Sequence, residues 1–374
     1  MTAIAVIFWL CAGLLVYTMA GYPLLLWLLT RGRSERPGAA DSPLPSVSLL
    51  VAAHDEESSI LEWVRSTLAI QYPRELLEVV VVSDGSTDHT LEWAAKAGAD
   101  VVLDVPRGGK VAALNAGVER ARGEVLAFSD ANSTWEPQAL RRLVARFADP
   151  QVGYVCGQLR LEGDGGPNQE GLYWRYEMAV RGLESRLAGV TAGNGAINAV
   201  RREAFVALEP TRGQDISFPF EITRRGMRAV YEPAAIAREP MASTLDAEFA
   251  RKRRMHAGSW ATILRHRMLS PRGYPPAYAF EVISHRGLRY AAPFLHVIAL
   301  AANLALLGQG TLYVVTLALQ LAVLLAAALA PLAPMWPLRV ARYYVAVTAA
   351  SAAGLWDYLR RGVPTTWEKA EGTR

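Results

Sequence analysis

The sequence predicts an α/β domain, a mostly parallel sheet flanked by helices, held between transmembrane helices at both ends of the chain. Three observations predict it. Short apolar runs alternate with helically spaced segments between residues 47 and 147, which is the signature of strands and crossover helices. Two long blocks, Ala3 to Thr30 and Tyr290 to Leu338, contain no charged residue. The stretch between them has an ordinary globular composition, so a chain of 374 residues with 52% hydrophobic residues and a mean hydropathy of +0.14 divides into membrane and aqueous parts.

The first block exceeds the roughly 20 apolar residues that span a bilayer, and the second is long enough for two spans. A secretory signal peptide fits the first block poorly, because no basic residue precedes it, it is too long, and no small-residue cleavage pattern follows. Arg31, Arg33 and Arg36 follow it, and Arg286 and Arg289 precede the second block. Basic flanks stay on the cytoplasmic side, which predicts a domain facing the cytoplasm. Cys11 and Cys156 are the two cysteines, one of them inside the first span, and they exclude a disulfide framework or a cysteine-rich zinc site. A net charge of +4 is too small to argue for nucleic acid and suits an anionic membrane surface better.

Within the domain, Val47 to Ala52 reads as a first strand and Glu56 to Ile70 as a helix. Four consecutive valines, Val79 to Val82, read as a strand buried on both faces. A helix over Leu91 to Gly98, a strand over Val101 to Leu103, a helix over Lys110 to Arg122 and a strand over Val125 to Phe128 follow. Pro137 to Phe147 starts with proline in its first turn, as helices tolerate. The predicted division is 1–30 for the first membrane helix, 31–45 for a linker and 46–245 for the catalytic domain. A basic interfacial region over 246–288, two membrane helices over 289–338 and a segment 339–374 that either lies at the interface or crosses once more complete it.

Open parallel sheets bind ligands beyond the carboxyl ends of their strands. Those exits carry His54-Asp55-Glu56-Glu57, Ser83-Asp84-Gly85-Ser86-Thr87-Asp88 and Ser129-Asp130-Ala131-Asn132. Asp84 and Asp88 sit in a turn whose backbone and carboxylates suit a nucleotide, and equally suit an Asx turn with a helix cap. Asp130 and Asn132 place two oxygen donors at i and i+2, the spacing of a hard-cation site, or again of a cap. Gly108-Gly109-Lys110 at a helix start suits a phosphate, without the spacing of a P-loop. Asp215 lies beside an apolar patch where a carboxylate is able to serve as a general base, although most lone loop aspartates are caps. Tyr173-Trp174-Arg175-Tyr176 opens a helix whose aromatics either stack on an acceptor or belong to the core.

In order and spacing, these segments resemble the family 2 glycosyltransferases of GT-A fold, in the membrane-bound branch of the cellulose, poly-N-acetylglucosamine and hyaluronan synthases. The segments that carry the resemblance are S-L-L-V-A-A-H-D-E-E, V-V-V-V-S-D-G-S-T-D, G-G-K-V-A-A-L-N-A-G, V-L-A-F-S-D-A-N, G-N-G-A-I-N-A-V-R-R-E and G-Q-D-I-S-F-P-F-E-I. G-M-R-A-V-Y-E-P-A-A and F-A-R-K-R-R-M-H-A-G extend it, so that it covers nearly all of Val47 to Gly258. The resemblance implies a nucleotide-sugar donor contacted by Ala53, Glu56, Asp84, Lys110, Asp130 and Arg254. It further implies Mg²⁺ or Mn²⁺ at Asp130 and Asn132, and Asp215 as the catalytic base. Gln214, Trp174 and Tyr176 are the acceptor-side candidates. Asp55 stands where the family has Asn, Asn132 where it has a second Asp, Gln214 where it has an acid, and Arg251 and Met255 where processive synthases have Gln and Trp.

The implied reaction is an inverting transfer, with a UDP-linked donor favoured, to a lipid-linked or membrane-associated acceptor such as a polyprenyl or glycolipid carrier. The last departures favour one or few sugars per acceptor. The alternatives are a processive polysaccharide synthase and an inactive membrane scaffold of the same fold. A nucleotidyltransferase lacks its basic glycine-rich loop here. A transporter lacks ionisable residues in the apolar blocks apart from His296.

Overall fold

Seven uncharged residues form β1 (Val47–Ala53), and each is buried, as a strand covered on both faces requires. β2 (Leu77–Asp84) lies parallel on one side of it and β4 (Val125–Ser129) on the other, with β3 (Val101–Val105) parallel to β2. Alternation along the valine run splits the core in two. Val79 and Val81 pack with Leu49 and Val51 against α2 (Ile60–Leu68) and α5 (Ala139–Ala145), whereas Val80 and Val82 pack with Leu50 against α4 (Lys110–Arg120). Gly117 allows that approach, since a Cβ there would lie 2.8 Å from Val82 and 2.9 Å from Leu50. α3 (Thr90–Ala97) completes the first half and ends on Gly98 in the left-handed region.

The structure, a computed structural model, describes residues 1–33, 43–162, 169–240, 245–333 and 335–365. Residues 34–42 of the predicted linker and 366–374 of the predicted tail lie outside the described residues. Beyond α5 the sheet changes character. β7 (Asn198–Arg201) is antiparallel to both β4 and β6 (Val152–Glu162), β8 (Arg228–Pro240) is parallel to β6, and the short β5 (Thr134–Trp135) runs antiparallel on β8. The eight strands follow the order β3-β2-β1-β4-β7-β6-β8-β5. The parallel expectation therefore describes the first four strands, and the sheet as a whole is mixed.

Among the described residues, three helices are long and apolar enough to cross a bilayer: α1 (Thr2–Thr30), α9 (Pro276–Ala305) and α10 (Thr311–Leu329). α9 begins at Pro276, ahead of the boundary at residue 289 that the sequence suggests, because its first turns are half-polar and buried against the domain. α1 widens into a π-type turn at Tyr17–Gly21, just ahead of Pro23, which has no amide hydrogen to continue the ordinary ladder. α9 carries a matching π-type turn at Val282–Gly287, and Tyr17 donates to Ser284 Oγ across the pair at 3.0 Å.

Polar groups then tie these helices to α6 (Gln169–Leu187). Tyr22 donates to Glu184 at 2.8 Å, His285 Nδ1 lies 2.6 Å from the same carboxylate, and Arg289 pairs with Glu177 and with the Tyr173 hydroxyl. Segment 339–361 belongs to α11 (Trp336–Arg361), which lies on the basic helix α8 (Leu245–Leu264). Trp260 donates to the Ser351 carbonyl at 2.9 Å, and Arg253 holds Asp357 through two contacts of 2.5 and 2.6 Å.

Candidate active site

The exits of β1 and β2 are laced together before any ligand is considered. Asp55 takes a positive φ of 51° and accepts from the Thr87 amide at 2.8 Å, while the amides of Glu56 and Glu57 donate to Thr90 and Asp88. Asp88 also accepts from the Thr90 amide at the head of α3, so the capping reading of this residue is the one the fold uses. Ala53 is the buried last residue of β1, and the Glu56 side chain accepts from Ser59 at 2.8 Å.

Asp84 ends β2 and is bonded to the loop before α4. Its side chain is 0% exposed, and its oxygens accept from the amides of Gly108 (2.7 Å) and Gly109 (3.0 Å). The carboxylate therefore does not face the cleft. It holds the loop whose next residue, Lys110, does.

Lys110 starts α4 and its ammonium bonds the Asp130 carboxylate at the end of β4. Burial works against the charge of Lys110, but Asp130, with Glu239 and Asp215 behind it, outweighs burial and raises its pKa. Gly195 forms the wall here: a Cβ on it would lie 3.0 Å from Asp130 Oδ2 and 3.1 Å from Lys110 Nζ. Asn132 is exposed on the turn that follows Asp130, closed by the Ser133 amide donating to the Asp130 carbonyl at 3.1 Å.

Asp215 approaches from the opposite side, in the first turn of α7 (Gln214–Arg224). Its carbonyl accepts from the Gly193 amide at 2.7 Å, and a Cβ on Gly213 would sit 2.8 Å from Asp215 Oδ1, so a side chain there would displace the carboxylate. Burial pushes the Asp215 carboxyl above its ordinary value; Lys110, the Ile216 amide and Arg286 oppose that, and Asp130 adds to it. Asp215 is thus electrostatically coupled to Lys110 and Asp130. Gln214 beside it is buried, with its side-chain oxygen unpartnered among the described residues.

Two predicted aromatic residues are engaged elsewhere. Trp174 packs against both core clusters and donates to the Leu159 carbonyl at 2.6 Å. Tyr176 donates to carbonyls of Thr18 and Met19 in α1, so it anchors the first membrane helix and not an acceptor. Arg254 is exposed on α8, and within that basic stretch it is the charge of Arg251 that reaches Glu239 in the cleft.

Two residues join the site from places the motifs did not mark. Glu239 ends β8, and pairing of Thr134 with Arg238 across β5 and β8 brings it to Ser133, whose hydroxyl donates to its carboxylate. Arg286 comes from α9: its Nε donates to Thr191 Oγ1 at 2.9 Å, two residues before the Gly193 amide that holds Asp215. Sequence reading used Arg286 only as a topology signal. A groove of about 970 Å³ lies at the amino ends of the parallel strands, lined by Leu44, Arg141, Arg142, Phe147 and Arg202, and none of these cleft residues faces it.

Residues 48–208 match the model of the family described as Glycosyl transferase family 2. That stretch of the chain is a family 2 glycosyltransferase domain. It is similar to the probable glycosyltransferase YdaM of Bacillus subtilis, with 35% identity over 127 residues, which are 32% of this chain and 30% of that protein. It is similar also to poly-beta-1,6-N-acetyl-D-glucosamine synthase of Staphylococcus aureus, with 24% identity over 244 residues, 62% of this chain and 59% of the synthase. The aligned regions therefore span less than two thirds of either relative. Among solved structures, mannosyltransferase PcManGT from Pyrobaculum calidifontis, in complex with GDP-Man and Mn²⁺, superposes with a TM-score of 0.72. That match has 24% identity and covers 95% of this chain and 99% of the mannosyltransferase, so the fold is shared over nearly the whole length.

Proposed function

We infer that this protein is an inverting glycosyltransferase that moves a sugar from a nucleoside-diphosphate donor, UDP-linked in the first instance, to a hydroxyl acceptor delivered at the membrane. The observation that carries the reading is the convergence of Lys110, Asp130 and Asp215 beside the backbone of Gly195, at the carboxyl ends of the parallel strands. Asp215 sits in a largely dry first helical turn, where it accepts the acceptor hydroxyl's proton as the new bond forms. Lys110, released from Asp130, neutralises charge that grows on the departing diphosphate. Asp84 acts at one remove by holding the amides of Gly108 and Gly109 in place.

The donor set fits a hard divalent cation. Asp130 offers a carboxylate, Asn132 an amide oxygen, and Gly195 leaves space beside them that a Cβ would fill. When bound, Mg²⁺ or Mn²⁺ supplies positive charge for the diphosphate. Support for a membrane-delivered acceptor comes from α9, which is apolar enough to span a bilayer and also carries Arg286, whose charge acts on Asp215. Arg31 and Arg33 after α1 support a cytoplasmic site. Met255 in the position of the processive synthases' Trp supports transfer of one or few sugars.

The test is to incubate purified protein in lipid nanodiscs with UDP- and GDP-linked hexoses and N-acetylhexosamines, with Mn²⁺ or EDTA. Metal-dependent release of nucleoside diphosphate, with label passing to a short lipid-extractable product, supports the reading. A polymer ladder on a gel indicates a processive synthase, and no turnover with any donor rejects the enzyme reading.

A further inference from the structure

The exchange of Asp for Asn at position 132 removes one negative charge from the cation site, and β8 brings another back. We propose that Glu239 is the second protein carboxylate of this chain's divalent-metal site, supplying the negative charge that the Asn132 amide lacks. The inference rests on the glycosyltransferase reading of the same cleft and adds a residue to it.

The geometry is built by strand pairing. Trp135 and Thr134 of β5 lie opposite Ala237 and Arg238 of β8, so the residue after Arg238 stands beside the residue before Thr134. Those residues are Glu239 and Ser133. The Ser133 hydroxyl donates to Glu239 Oε1, while the Ser133 amide closes the Asp130 turn at 3.1 Å. One serine thus ties the Asp130 backbone and the Glu239 carboxylate to one turn. The Glu239 side chain accepts from Ser133 through Oε1. Lys110 bonds the Asp130 carboxylate from the other side of this turn.

The position of Lys110 says what this pair of carboxylates attracts. Its ammonium lies on Asp130 between a wall without a side chain, Gly195, and the Ser133 turn. A divalent ion bound by two carboxylates and donor phosphate oxygens is the usual arrangement for hard cations that work on phosphates. Among the described residues no three His, Cys, Asp or Glu side chains close a cage alone, which agrees with a site completed by the donor. Arg251, whose charge also reaches Glu239, is held on α8 by Glu248 at 2.8 Å.

The experiment measures Mn²⁺ binding by electron paramagnetic resonance, with and without UDP or GDP, on wild type, Glu239→Gln, and the Glu239→Gln/Asn132→Asp double variant. Thermal unfolding in EDTA checks that each variant is folded. Glu239→Gln is expected to weaken Mn²⁺ binding by about tenfold or more, within the range for losing a group that supports a metal site, with EDTA stability undiminished. The double variant is expected to recover most of that loss, because it restores the carboxylate at 132. Unchanged Mn²⁺ affinity in Glu239→Gln, or a loss that Asn132→Asp leaves unrepaired in a folded protein, overturns the assignment. A wild type that binds neither Mn²⁺ nor nucleotide would instead reject the donor-site reading, which separates the two failures.

Discussion

In the metal-free protein, Glu239 carries an ionisation cost that can be measured directly. Burial, followed by repulsion from Asp130, pushes its carboxyl up to about 7 from an ordinary value of 4.5, against the Ser133 hydrogen bond and the charges of Lys110 and Arg251. The folded value is raised above the unfolded one. The protein therefore has its full share of stability from this group below pH 4.5 and loses it as pH rises through 7. A difference of about 2.5 units corresponds to about 3 kcal/mol at pH 8 and about 1 kcal/mol at pH 5. Glu239→Gln keeps an oxygen for the Ser133 hydroxyl and removes the charge. In EDTA it should raise the unfolding midpoint by several degrees at pH 8 and by little at pH 5, read by tryptophan fluorescence in detergent. Saturating Mn²⁺ should narrow or reverse the gap, since the wild type gains more from the ion. An equal gain at both pH values, or none at pH 8, would refute the claim that Glu239 is held ionised against its surroundings.

Asp84→Asn replaces one of the acceptors that hold the Gly108 and Gly109 amides with a donor; hydrogen bonds to charged groups contribute about 1.5–3 kcal/mol, so amide exchange over residues 107–110 should accelerate and donor affinity should fall. Unaltered exchange there would show that Asp84 does not hold the loop. Arg289→Ala leaves Glu177 buried beneath α9 without its guanidinium partner, a loss of about 3–5 kcal/mol in comparable pairs. Its midpoint in detergent should drop sharply, and the Arg289→Ala/Glu177→Gln double variant should regain part of it.

Much of the first half of the fold was legible because its signals are local. The valine run at 79–82 and the uncharged stretch at 47–53 are buried on both faces, and no half-exposed strand reads that way. The spans were legible for the same reason. The second half was not, because β7 is only four residues long and the long strand β6 includes Gln158 and Arg160 on its way out of the core. The same split runs through the site. Lys110, Asp130 and Asp215 sit in segments whose spacing marks them, and the structure brings them together. Glu239 depends on β5 pairing with β8 across about a hundred residues, and Arg286 on a membrane helix folding back over the domain. Tyr176 and Trp174 failed in the other direction: an aromatic cluster opening a helix has the same pattern whether it stacks on a sugar, fills a core or clasps α1.

The account stands most directly on Asp215. In nanodiscs, Asp215→Asn should bind nucleoside diphosphate and Mn²⁺ as the wild type does, while sugar transfer falls by about 10²–10⁴-fold, the usual loss when a positioned base is removed. Wild-type rates should themselves decline at acidic pH from a point above the ordinary carboxylate range, because burial raises the Asp215 carboxyl. Full transfer by Asp215→Asn, with donor binding intact, would contradict the assignment of this cleft as the place where the bond is made.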